Sequence, residues 1–445
     1  MGPSTSEAAT TWRARAMGPI RAARRHPGGS AALAGLLALA GLWAWWATQL
    51  WGLPDIGEPF GVAAYDAVRV PYVRNAFFPY LEAASLSSAT LRRIRASPAA
   101  KNLQLAQLQG VWSEAGPVVR DFLGQSGEAL AIWRAGSEKP DFLHEHRKGL
   151  NYRTPLPVTQ ELRILGQLAA LEGSRLEVEG DMAGAWGWYR ALLRSSRHTG
   201  RHGFLAERLT GAAMHDDASR ALSRWAADPR VDAPLLRRAL AEVVAIDAMT
   251  VPRSEALKQE YLVFARSLDD PNLVEDVLME RDPTRPVDDW CQDLPVGDAT
   301  KRRIHEVRLL AADDRERSLR VARLMTANWL AEVDKPRSRR SAPARRDPPI
   351  YEPDPAGPPA SRALPPGKLS RWLDSSMLAS RIFRSFDRHA NLIDRERARQ
   401  ARLVVHLADQ LYRREHGGAP PPSPGALAGP DLEALPEGFD APVEP

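Results

Sequence analysis

The run Thr159–Arg197, TQELRILGQLAALEGSRLEVEGDMAGAWGWYRALLRSSR, decides the fold class. Its apolar residues mostly recur at three- and four-residue steps: Leu162, Leu165, Leu168 and Leu176 up to Val178, then Ala185, Tyr189, Leu192 and Leu193. That period lines one face of a helix and does not fit a strand. Gly180-Asp181 interrupts it, and glycine tolerates the backbone conformations a turn needs. The stretch therefore reads as two antiparallel helices. Gly173 and Ala185 are small where the two must approach each other.

Gly173, Gly180, Asp181, Ala185 and Tyr189 stand at the spacing of a tetratricopeptide repeat, which this hairpin resembles. The likeness covers about 35 of 445 residues. Ala169 stands where that family has an aromatic, and Leu192 where it has alanine. No second copy follows at the same period, so the resemblance implies one TPR-like hairpin and not an array.

Upstream, Ser30 to Leu53 (SAALAGLLALAGLWAWWATQLWGL) carries no charge, and none occurs between His26 and Asp55. About 20 apolar residues cross a hydrocarbon core, so this reads as a single-pass transmembrane helix. Trp43, Trp45, Trp46 and Trp51 cluster at its end, the composition of a membrane interface. Arg13, Arg15, Arg21, Arg24 and Arg25 precede it, against Glu7 alone. The positive-inside rule then expects the N-terminus in the cytoplasm and the bulk on the outer, periplasmic side of the cytoplasmic membrane. A cleaved signal peptide is the rival reading, but the tryptophans stand where small residues flank a cleavage site. A lipoprotein needs a cysteine directly after the run, and the chain's single cysteine is Cys291. One cysteine also excludes an intrachain disulfide.

Downstream, Asp55–Asn75 reads as an irregular collar, with Asn75 as an N-cap. A helix to about Arg95 would place Phe78, Leu81, Ala84 and Leu91 near one face. Pro117–Ala135 reads as one helix carrying Val118, Phe122, Leu123, Leu130 and Trp133. Further helices are expected near 203–227, 233–248, 253–268 and 299–333. Asp334–Lys368 holds ten prolines together with Arg337, Arg339, Arg340, Arg345 and Arg346. That composition favours extended, solvated chain. Two helices follow, Leu369–Phe386 and Ile393–Glu415, and the stripe Leu403, Leu407, Leu411 implies that they dock on the body. The expected organisation is thus a basic cytoplasmic tail (1–29), the span (30–53), a helical domain (54–333), a Pro/Arg-rich linker (334–368), and C-terminal helices with a Pro-rich tail (369–445). The fold class is all-α: one N-terminal transmembrane helix, then irregularly stacked antiparallel helical hairpins.

Tyr412, Arg413, His416, Gly417, Pro420, Leu432, Leu435, Pro436, Asp440 and Pro442 resemble a C-terminal element of single-span, membrane-anchored bacterial proteins and of pseudopilins. Position 34 is alanine, whereas a pseudopilin needs glutamate there for its peptidase. What remains is a resemblance to a membrane-anchored helical group that brings no activity with it.

Chemical motifs are sparse. GxxxxGK[ST], GxGxxG and HExxH are absent. Gly124-Gln125-Ser126-Gly127 is not a nucleophile elbow. His144-Glu145-His146, the pair His198 and His202, and His215-Asp216-Asp217 lack the ligand number or the convergence that a metal or acid/base site needs. No catalytic residue, cofactor or metal is assigned. Net charge is +5, and arginine dominates the basic residues. With the bulk outside the cytoplasm, nucleic acid is not an expected partner; the lipid bilayer and a protein are. The expected function is a membrane-tethered, non-enzymatic interaction or scaffold protein of the bacterial cell envelope. The alternative is a hydrolase-like envelope enzyme whose site forms only in three dimensions.

Overall fold

The computed structural model describes residues 35–38, 40, 41, 43, 44, 55–96, 108, 111–144, 147–152, 154, 156–270, 297, 299, 300, 315–335, 339, 350–352, 362–364, 377–429, 431–436 and 439. The chain divides into two compact units. One comprises Ile56–Pro283 and Val321–Pro445; the other comprises Met1–Asp55 and Thr284–Arg320.

In the second unit, the described part of the apolar run is helical, with Leu36, Leu37 and Trp43 exposed. Among the described residues, no helix is long and apolar enough to cross a membrane. Trp45, Trp46, Trp51 and the five N-terminal arginines lie outside the described residues.

The first unit is helical. Its elements are α1 (Val62–Ala67), α2 (Phe77–Arg95), α3 (Pro117–Gln125), α4 (Gly127–Ser137), α5 (Pro157–Glu179), α6 (Met182–His198), α7 (Leu205–Ala227), α8 (Ala233–Asp247) and α9 (Ser254–Ser267). Helix α10 (Arg315–Glu332) follows. Next come two short strands, β1 (Ile350–Glu352) and β2 (Arg362–Leu364), and the long α11 (Met377–Glu415). The class expected from the sequence, all-α, holds. Among the described residues the departure from it is β1, which pairs antiparallel with β2, Ile350 opposite Leu364. It lies inside the segment whose prolines favoured extended chain throughout. Neither described strand contains a proline, so neither loses a ladder donor to one.

The centre is the α5/α6 hairpin, with α7 packed on both helices. Helix α5 stops because Gly180 takes a left-handed conformation, φ +87°. Its N–H then reaches the Glu177 carbonyl (3.1 Å) while that of Asp181 reaches Leu176 (2.9 Å). This is a Schellman closure. Asp181 starts α6 at once, its carboxylate accepting from the Gly184 N–H at 2.8 Å. Gly173 marks the crossing: a Cβ there would stand 2.4 Å from Cε1 of Tyr189. Ala185 and Tyr189 are wholly buried. The Tyr189 hydroxyl donates to Glu177, and Arg224 of α7 reaches the same carboxylate at 3.2 Å. Trp225 stacks on Trp186 with centroids 5.8 Å apart and donates to the Met182 carbonyl at 3.0 Å. One interhelical node therefore ties α5, α6 and α7.

Helix α2 leans on α4 and α5. Its buried face is Phe77, Tyr80, Ala84, Leu91 and Ile94, with Phe78 half-buried and Leu81 exposed. Of the expected face Ala84 and Leu91 are buried, while Phe77 and Tyr80 take the places expected of Phe78 and Leu81. Asn75 supplies the reason: its Oδ1 accepts from the Phe77 N–H (3.1 Å) and the Leu143 N–H (2.9 Å), so the helix is aimed by a link to the loop at 143. The helix expected over Pro117–Ala135 is two, broken at Ser126 between Gly124 and Gly127. Conversely, the gap expected between 386 and 393 is bridged by one 39-residue helix, Met377–Glu415, and 369–376 lie outside the described residues. Its residues Leu403, Val404, Leu407 and Leu411 enter the core beside α7 and α8.

Gly173→Ala tests the crossing. Alanine is worth about 1 kcal/mol more than glycine in a free helix. Overpacking against Tyr189 costs about 1–3 kcal/mol. The variant should therefore melt no higher than the parent, by thermal denaturation of the full chain, and Ala185→Leu should melt lower still. A rise in melting temperature for Gly173→Ala would contradict the contact.

Candidate functional site

Three places gather polar groups or open space. The first is a groove between α6 and α8. Arg190 and Arg194, one helical turn apart, rise from α6. Ala245 and Ile246 of α8 form the floor with Met249, and Pro140 closes one end. The opening is about 460 Å³. Its arginines are positioned firmly. Arg190 holds Glu138 with two hydrogen bonds (2.6 and 3.0 Å) and pairs with Glu242 at 2.6 Å. Arg194 donates to the carbonyls of Ser137 (2.7 Å), Glu138 (3.2 Å) and Lys139 (3.3 Å), which close the end of α4. Cations suit that end of a helix dipole. The groove thus presents an apolar floor below an ordered polar rim.

The second is a recess of about 520 Å³ beside the collar, lined by Val68, Tyr72, Phe78, Leu143, His144 and Lys148 among others. Its described lining holds no serine, threonine or cysteine. The His144 ring packs on Phe77 with centroids 4.5 Å apart. Glu145 and His146 lie outside the described residues.

The third is closed. Arg197 (α6), Arg208 (α7) and Glu396 (α11) meet with almost no exposure. Glu396 accepts from Arg197 on one oxygen and from Arg208 on the other at 2.7 Å. Arg197 also reaches Asp247 at the end of α8, 3.2 Å away. Burial opposes ionisation of Glu396, but the two guanidiniums outweigh it and hold the carboxyl below the usual range. Asp247 goes the other way: burial pushes it up to about 6 despite Arg197. His215 is buried beside these arginines and is held neutral, first by burial and then by their charge. This cluster fastens α11 to three other helices and offers no access to a substrate.

The remaining residues noted in the sequence are placed as follows. Gly124–Gly127 is the α3/α4 break. His198 and His202 do not form a pair. His198 is wholly buried with Nδ1 2.9 Å from the Tyr80 hydroxyl. Burial, then the nearby Arg194 and Arg201, bring its pKa down to about 3. His202 lies past Gly200 in a left-handed conformation (φ 54°) and meets Glu255 at 3.0 Å. Burial would raise Glu255, but His202 and Lys258 bring it to about 2. Asp216 and Asp217 point away from His215 and pair with Arg220. Among the described residues, no three His, Cys, Asp or Glu side chains are grouped to hold a metal. Gly173 lies against Tyr189, Gly180 turns the chain, Asp181 caps α6, and Ala185 is buried. The sequence reading missed Arg197, Arg208 and Glu396. Arg197 and Arg208 are 11 residues apart and Glu396 follows 188 residues later, so no local spacing signals the contact.

Compared with protein-family models, with curated proteins and with solved structures, the chain matches none.

Two outcomes follow. Glu396→Ala leaves two buried guanidiniums without their carboxylate and should cost about 3–5 kcal/mol. Joint replacement of Arg197, Arg208 and Glu396 by apolar residues of similar volume should recover most of it, read from denaturant midpoints. The second concerns acid. The folded state holds His198 unprotonated down to about pH 3, while the unfolded chain takes up that proton near 6.5. Stability should therefore fall with pH from 6.5 downward, by about 1.4 kcal/mol per unit from this residue. Glu255 adds a loss from about 4.5 toward 2, and Asp247 acts oppositely between 3.8 and 6. The difference between parent and His198→Phe isolates the histidine, and the variant should show the shallower acid slope.

Proposed function

We propose that the chain is a membrane-tethered interaction or scaffold protein of the bacterial cell envelope, anchored by Ser30–Leu53 with its N-terminus inside and its helical body on the outer side. The apolar run, the arginines before it and the tryptophans at its end support the tether. The observation that carries the interaction reading is the α6/α8 groove. It is open, has an apolar floor, and its rim arginines are already held in geometry by Glu138, Glu242 and backbone carbonyls. Such a surface takes up a partner's apolar side chain and excludes water around it. The buried ionic groups are occupied with holding helices together, and the recess near the collar has no serine, threonine or cysteine in its described lining. The TPR-like resemblance of α5/α6 agrees with this reading, since helical hairpins of that kind present binding surfaces.

Topology is read with fusions. A phosphatase joined after the last residue should be active, and a fluorescent protein exported unfolded should be dark; the reverse would overturn the N-in arrangement. The groove is read with a photo-crosslinking residue at Met249 in cells. It should yield one discrete adduct, which Ala245→Asp, at an exposed position of the same groove, abolishes while the melting temperature of the tether-bearing chain stays unchanged. A smear of adducts, or none, would overturn the interaction reading.

A further inference from the structure

The collar carries the body's most exposed large apolar side chains among the described residues. Tyr72 is 69 % exposed and Val73 is 71 % exposed, and the next is Val178 at 60 %. The first two are consecutive, on a single 3-10 turn, Tyr72–Arg74. Pro71 precedes the turn, and the Tyr72 ring rests on Phe78 with centroids 4.4 Å apart, so one side of the ring is supported and the other faces solvent. The turn is held from below. Lys139 Nζ donates to the Val73 carbonyl at 2.7 Å, Arg74 binds Asp141 at 2.9 Å, and Asn75 is tied to Leu143. A rigid turn that presents two apolar side chains to water has been built to meet something.

The surrounding charge says what. Asp141 is paired with Arg74, and Asp66 with Arg266 at 3.3 Å. Arg69 donates to the carbonyls of Asp66 (2.7 Å) and Val68 (2.8 Å), and Lys139 to that of Val73. Neither has a carboxylate partner among the described residues, so the patch is net positive around an exposed tyrosine and valine. Aromatic and aliphatic tips beside cations are the composition that settles on a bilayer of anionic lipid. The tether is short as well: 18 residues separate Leu53 from Tyr72, at most about 60 Å of chain.

We propose that Tyr72 and Val73, flanked by Arg69 and Lys139, form a second membrane contact that rests on the anionic headgroup layer beside the chain's own anchor. The proposal depends on the anchor reading. One tether leaves a body free to tumble; a second contact sets which face it turns outward.

The test uses the full chain with Cys291→Ser and a single environment-sensitive fluorophore at Val73→Cys or, as the control, Val178→Cys. Each is placed in bilayer nanodiscs of equal phosphatidylcholine and phosphatidylglycerol, and in detergent. Both sites are exposed, so folding is not at issue; circular dichroism checks it. The Val73 label should turn blue and resist iodide quenching in the discs and not in detergent, while the Val178 label stays open to iodide in both. Arg69→Gln and Lys139→Gln should each lower the docked-to-free ratio about fivefold. A chain that co-elutes with discs while the Val73 label stays in water overturns the docking and leaves the anchor standing. A chain that never enters the discs overturns both. A label already shielded in detergent points to a protein contact and overturns the lipid assignment.

Discussion

Glu396 is the constraint on which the rest of the body turns. A carboxylate without water is tolerated only when cations and hydrogen bonds replace the lost solvation. Here Arg197 takes one oxygen and Arg208 the other. The requirement is geometric as well as electrostatic, because the two arginines come from different helices. It sets where α11 crosses α6 and α7, and so which of its residues reach the core. With Glu396 placed, Leu403, Leu407 and Leu411 follow about two, three and four turns later along the buried side. Further along, Arg414 reaches the carbonyls at the end of α7, 2.8 Å from that of Asp228. An apolar stripe alone would tolerate sliding by a turn; the ionic cluster does not.

The hairpin supplies the complementary constraint by lacking a side chain. Gly173 lets the Tyr189 ring lie against the backbone of α5, which brings its hydroxyl to Glu177 and, through that carboxylate, to Arg224. Steric permission and polar satisfaction are thus one arrangement. The same economy shows at the collar, where Asn75 both starts α2 and binds the loop at Leu143.

These comparisons show where sequence is a good guide. Residues 159–197 were legible because turn, cap and close approach are all encoded within neighbouring positions. The class, all-α, followed from the same periodicity elsewhere. The first turn of α2 was misread by one residue, Phe77 and Tyr80 for Phe78 and Leu81, because its start is tied to a loop some 68 positions away. The break at Ser126 was missed because Pro117–Ala135 keeps an apolar pattern through it. Helix α11 was divided because 387–392 shows no stripe of its own, yet the backbone stays helical through it. The ionic cluster was illegible for the same reason: charged residues in a periodic pattern read as solvated surface, and only the fold reveals that they are enclosed. Neither the groove nor the collar's exposed turn has a local signature in the sequence.

The separation between Arg208 and Glu396 has a temporal consequence. A ribosome adds about 5–20 residues per second. Between the emergence of the second arginine and that of its carboxylate, on the order of 10–40 s pass, during which α5, α6 and α7 hold two cations facing a cavity meant to be dry. Helical hairpins form far faster than this. The nascent body therefore waits, with its local structure in place and one wall open, and closes when the last helix arrives. A chain truncated before position 396 would remain in that waiting state, a natural substrate for chaperones and proteases.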